Sequence, residues 1–119
     1  MKKILLVEDD RFLIDIYTTK LESEGYEVFS ATDGRQALDL LDEEHFDLIL
    51  LDIILPKIDG WEVLKKMRES GKNKETKVIV ISNSEEIVKK EYEDLSVEAC
   101  LIKANYTPQE TVEEMKKVL

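Results

Sequence analysis

The chain has little of what disulfide-stapled, metal-thiolate or membrane-spanning proteins depend on. Its 119 residues include a single cysteine, Cys100, so no internal disulfide can form, which fits a reducing compartment. A single histidine, His45, leaves both a His- or Cys-rich zinc site and a Ser-His-Asp triad without support. No apolar run approaches the ~18–20 residues that span a bilayer, and the start carries no signal-peptide pattern. The expectation is a soluble, cytoplasmic protein. Cations are outnumbered, 17 Lys and Arg against 27 Asp and Glu, for a formal net charge of −10. That balance argues against direct nucleic-acid binding, which needs clustered cations to displace counterions, and against anionic membrane surfaces. With four glycines, two prolines and no repeat, nothing marks a linker or a second domain.

What is present is a core. Hydrophobic residues make up 43% of the chain, enough to outweigh 37% charged residues and exclude disorder. A chain this long buries roughly two-thirds of its unfolded surface as one domain. Solid apolar runs stand at Ile4–Val7, Leu48–Leu51, Val78–Ile81 and Ala99–Ile102, with a more polar, edge-like run at Glu27–Ala31. Uniformly apolar strands suit a parallel sheet covered on both faces.

Helical spacing fills the gaps. Leu13, Ile16, Tyr17 and Leu21 share a face that ends at Gly25, and Ala37, Leu38 and Leu41 form a second stripe. Asp59 and Glu62 read as a capping box before Val63, Leu64 and Met67, with a stop near Gly71. Ser84 caps a fourth helix carrying Ile87, Val88 and Tyr92. Thr107, Pro108 and Glu110 open a fifth, continued by Val112, Met115 and Leu119, with Glu113 and Lys117 one turn apart. Five strands alternating with five helices give an α/β, doubly wound, flavodoxin-like parallel sheet with helices on both faces. Right-handed crossovers favour the strand order 2-1-3-4-5.

That order sets strands 1 and 3 side by side, with their carboxyl ends at the switch point where open α/β sheets bind ligands. Glu8, Asp9 and Asp10 follow strand 1, and Asp52 ends strand 3. Converging carboxylates repel and resent desolvation unless a cation lies between them. A hard divalent ion with oxygen ligands resolves the conflict, and Mg²⁺ also grips phosphate. Ser82 after strand 4 and Lys103 after strand 5 add a hydroxyl and an ammonium for the remaining oxygens of a phosphoryl group. Phosphoryl chemistry at Asp52 follows. Asp10 is equally suited to capping the first helix.

Taken in order and spacing, Glu8-Asp9, Asp52 in Leu51-Asp52-Ile53-Ile54-Leu55-Pro56, Asp59-Gly60, Ser82 and Lys103 give a chain that resembles a bacterial two-component response-regulator receiver domain of the chemotaxis type. The resemblance spans essentially the full length and implies a single receiver domain over 1–119, without an effector domain. It implies Asp52 as phosphoacceptor, and Mg²⁺ held by Glu8, Asp9, Asp52 and the backbone carbonyl of Ile54, with Asp10 in support. Ser82 and Lys103 would take phosphoryl oxygens. The donor would be a histidine kinase or phosphotransfer protein. Output would pass by protein contact across the fourth helix, fifth strand and fifth helix, from a monomer or a phosphorylation-linked dimer.

The chain departs from the family at the output side. Ala104 follows the lysine where proline is usual, so a trans bond and a reshaped loop are expected. Cys100 stands at the switch-aromatic position, with Tyr106 nearby, and Leu95-Ser96-Val97-Glu98 lacks the usual glycine. Cys100 reads as a small buried hydrophobe, His45 as a solvated helix end and Trp61 as partly exposed. Two other functions compete. A pseudo-receiver would bind partners without phosphorylation. A haloacid-dehalogenase-like phosphatase would need a second aspartate where Ile54 stands.

Overall fold

The computed structural model describes residues 1–69, 71–83 and 95–119. Five strands, β1 (Lys3–Val7), β2 (Glu27–Ala31), β3 (Leu48–Asp52), β4 (Lys77–Ser82) and β5 (Ala99–Ile102), form one parallel sheet in the order β2-β1-β3-β4-β5. The described helices are α1 (Arg11–Ser23), α2 (Gly34–Glu43), α3 (Gly60–Glu69) and α4 (Pro108–Val118), with a 3₁₀ turn at Lys103–Asn105. This is the doubly wound order read from the sequence. The expected helix capped by Ser84 lies outside the described residues, and α4 is the expected fifth.

Alternate residues of the central strands supply two separate cores, as the two-residue period of a strand requires. Leu5, Val7, Ile49, Leu51, Val78 and Val80 face α2 and α3. Ile4, Leu6, Leu48, Leu50, Ile79 and Ile81 face α1 and α4 through Tyr17, Leu21, Val112 and Met115. Burying each such side chain contributes roughly 1.5–3 kcal/mol. The sheet is therefore a fixed platform, and its edge strand β2 is the more exposed one, as its polarity implied.

Three local expectations are corrected. In α1 the buried face is Ile14, Tyr17 and Leu21, not one that includes Ile16. At about 100° per residue, positions 13, 14, 17 and 21 share one stripe and Ile16 falls about 60° outside it. Glu113 pairs with Lys116, not Lys117, which takes Glu114 at 2.6 Å. Both pairs span three residues, and Lys116 also reaches Glu24. Cys100 is half-buried, because β5 is an edge strand.

Two polar side chains knit the connections. Arg68, at the end of α3, donates to the carbonyls of Lys74, Thr76, Leu95 and Ser96 at 2.7–3.1 Å. Asn73 is buried at the amino-terminal end of the sheet. Its Nδ2 donates to the Leu41 and Glu44 carbonyls, and its Oδ1 accepts from the Phe46 N–H and the Thr76 hydroxyl.

Candidate functional site

Each strand-end residue arrives where its strand delivers it. Asp52 is the last residue of β3, in register with Ile81, and Ser82 ends β4 opposite Ile102. Glu8 follows β1, its N–H tied to the Ala31 carbonyl at 3.0 Å. Ligand oxygens of Glu8, Asp9 and Asp52 lie within 4.8 Å of one another. Asp9 is exposed, whereas Glu8 is 2% and Asp52 4% exposed. The buried pair therefore needs a cation more than Asp9 does.

Lys103 supplies one. Its Nζ lies 2.6 Å from Glu8 Oε1 and 2.8 Å from Asp52 Oδ2. Burial pulls this ammonium down, but its hydrogen bonds to Asp52 and Glu8 prevail and hold it above the ordinary lysine value. Burial pushes the Glu8 carboxyl up to about 7, against the hydrogen bond from Lys103 and with the repulsion of Asp52. The other Asp52 oxygen accepts the Ile54 N–H at 3.1 Å, which fixes the carboxylate's rotation. Lys103 sits in the 3₁₀ turn, and the bond to Ala104 is trans, as expected without proline.

Glu8, Asp9, Asp10, Asp52, Ile54 and Lys103 share an open cleft of about 690 Å³, whose other wall includes Leu13, Tyr106 and Pro108. Asp10 stands outside the three-carboxylate cluster. Its Oδ1 accepts the N–H groups of Phe12 and Leu13 as the cap of α1. Ser82 is buried at the end of β4. Sequence reasoning missed that Lys103 already bridges two of the carboxylates, because burial of Glu8 and the reach of Lys103 appear only in the fold. It also missed the apolar wall from Leu13 and Pro108.

The donor set fits a hard divalent cation. It is all oxygen, offered by three carboxyl groups, and it already holds positive charge in the form of Lys103. With a nucleophilic carboxylate and an ammonium beside it, the arrangement can accept and stabilise a phosphoryl group.

The family model described as response regulator receiver domain matches residues 4–116. The chain belongs to that family. Among similar curated proteins is the transcriptional regulatory protein CpxR of Escherichia coli (strain K12), 48% identical over 82 residues, which are 69% of this chain and 34% of CpxR. PhoP of Bacillus subtilis (strain 168), the alkaline phosphatase synthesis transcriptional regulatory protein, is 46% identical over 68 residues, 57% of this chain and 28% of PhoP. The matched part of this receiver domain is thus about a third of those proteins. Among solved structures, a CheY-like receiver domain protein from Methanospirillum hungatei JF-1 superposes with a TM-score of 0.88 at 30% identity, covering 98% of this chain and 92% of that one. The response regulator TrrA from Thermotoga maritima, in complex with Mg²⁺-BeF, gives 0.84 at 30% identity over the full length of both.

Proposed function

We propose that residues 1–119 act as one phosphoaccepting receiver unit in a two-component relay, with Asp52 as the acceptor. What carries this reading is the meeting of Glu8, Asp9 and Asp52 within 4.8 Å under the ammonium of Lys103. The donor is the phosphohistidine of a histidine kinase or phosphotransfer protein, which places the work in the cytoplasm. An Asp52 carboxylate oxygen attacks phosphorus in line as the phosphorus–nitrogen bond breaks, and the imidazole leaves with a proton from solvent. Lys103 transfers its hydrogen bond from Asp52 to a phosphoryl oxygen, and the Ser82 hydroxyl donates to another. Glu8, Asp9, Asp52 and the Ile54 carbonyl would hold Mg²⁺, with Asp10 behind them. When bound, that ion supplies charge neutralisation to carboxylates and phosphoryl group alike. Water attacking the acyl phosphate returns Asp52 and inorganic phosphate.

Turnover on an external phosphomonoester is not expected, because Ile54 offers no proton where a haloacid-dehalogenase-like phosphatase needs its second aspartate. Output runs by protein contact on the face that includes β5 and α4, from a monomer or a phosphorylation-linked dimer. Half-buried Cys100 on that face keeps a pseudo-receiver as the second reading. Incubation with Mg²⁺ and acetyl phosphate decides between them. A receiver gains about 80 Da as a hydroxylamine-labile adduct that Asp52→Ala abolishes. No adduct favours the pseudo-receiver, and release of phosphate from phosphomonoesters favours the phosphatase.

A further inference from the structure

Past Ile53, whose N–H still donates to the Ile81 carbonyl at 3.3 Å, the chain leaves the sheet and runs to the start of α3. This loop carries Ile54 and sets the attitude of Asp52, yet it lies against the first turn of another helix. Gly34, the buried first residue of α2, faces it. A Cβ there would stand 2.0 Å from the Ile58 carbonyl oxygen and 2.8 Å from the Ile58 Cβ. The Gly34 N–H points at the Pro56 carbonyl, 3.5 Å away. Asp33, the cap of α2, gives one oxygen to the Gln36 N–H at 2.8 Å and turns the other to Lys57 Nζ at 3.5 Å. Lys57 holds a left-handed backbone, φ 67°.

Magnitudes rank these contacts. The Lys57 side chain is 69% exposed, so its ion pair contributes little. An atom 2.0 Å from a backbone oxygen cannot be accommodated unless the loop moves. The contact at Gly34 decides.

We propose that Gly34 is a positioning residue for the phosphoryl site: the bare first turn of α2 is the template against which the loop after Asp52 sets that carboxylate and the Ile54 carbonyl. This rests on the functional reading above. The test is calorimetric titration of Mg²⁺ into the wild-type chain and four variants. Gly34→Ala is expected to weaken Mg²⁺ binding about tenfold, the scale at which outer supports tune a metal site. Gly25→Ala is the control: at φ 91° the exchange strains the backbone, but its Cβ meets nothing within 4 Å, so the melting temperature falls and affinity does not.

Should Gly34→Ala fail to fold, the exposed Lys57 position decides. Lys57→Val resists the left-handed backbone and weakens Mg²⁺ binding several-fold, whereas Lys57→Gly accepts it and keeps wild-type affinity. A folded Gly34→Ala that binds Mg²⁺ as well as wild type overturns the inference, as does Lys57→Val matching Lys57→Gly. A wild-type chain that binds no Mg²⁺ overturns the functional reading and this inference with it.

Discussion

At the scale of residues, Lys103 and a divalent cation would compete for the same oxygens. Lys103→Met removes the competitor and leaves Glu8 and Asp52 facing each other. We expect tighter Mg²⁺ binding in a calorimetric titration, together with slower adduct formation from acetyl phosphate, because one phosphoryl oxygen loses its cation. Glu8 adds a pH dependence. Its carboxyl, pushed up to about 7 from 4.5, binds a proton more tightly in the folded chain than in the unfolded one. The stability it lends is whole below the unfolded value and is lost as pH rises through the folded one. Without divalent cations the melting temperature should therefore decline between about pH 4.5 and about pH 7, and Glu8→Gln should flatten that decline. Mg²⁺ binding must expel the same proton, so affinity should fall as pH drops below about 7. Neither effect was legible in the sequence. A row of acids announces a cation site, but only folding shows which acid is buried and which lysine reaches it.

At the scale of elements, helix starts were the most legible signals. Thr107, Pro108 and Glu110 form the reciprocal capping box expected of them. Asp59 accepts the Glu62 N–H at 3.0 Å. Caps are local chemistry over four residues, which is why a sequence displays them. The rotation of α1 that buries Ile14 depends instead on how the helix lands on the sheet. Arg68 is the same kind of case. Nothing in the sequence sets it apart from the other cations of α3, yet its guanidinium holds four carbonyls from two connections. Arg68→Met should cost about 2 kcal/mol, read from urea unfolding, since four charge-assisted hydrogen bonds, two of them part-buried, are lost together. The proposed phosphoryl site lies away from these contacts, so adduct formation in the folded variant should be unchanged.

At the scale of the whole molecule, the fold was legible because alternation of solid apolar runs with helical stripes leaves few topologies. The strand order then brings Glu8, Asp9, Asp52, Ser82 and Lys103 to one edge without further information. What that order could not convey is support from the side, such as the approach of Gly34 to Ile58, because the two residues lie far apart in the chain and share no local pattern. Linkage gives the global consequence. A ligand that binds only the folded chain stabilises it by about 2.7 kcal/mol at a hundredfold excess over its Kd. Scanning calorimetry should show that gain with Mg²⁺ for wild type, and its loss in Asp9→Ala and Asp52→Ala.

Far from the carboxylates, the pole closed by Asn73 sets a limit on how the protein ages. Its amide spends both donors on carbonyls and its oxygen on two more partners. Hydrolysis of that amide to a carboxylate changes almost no volume but turns donors into an acceptor aimed at two carbonyl oxygens. While folded, the backbone around it is tied down by those hydrogen bonds. A chain left unfolded loses that shelter, and those that deamidate there cannot rebuild the pole, so refolding yield should decay with time spent in denaturant.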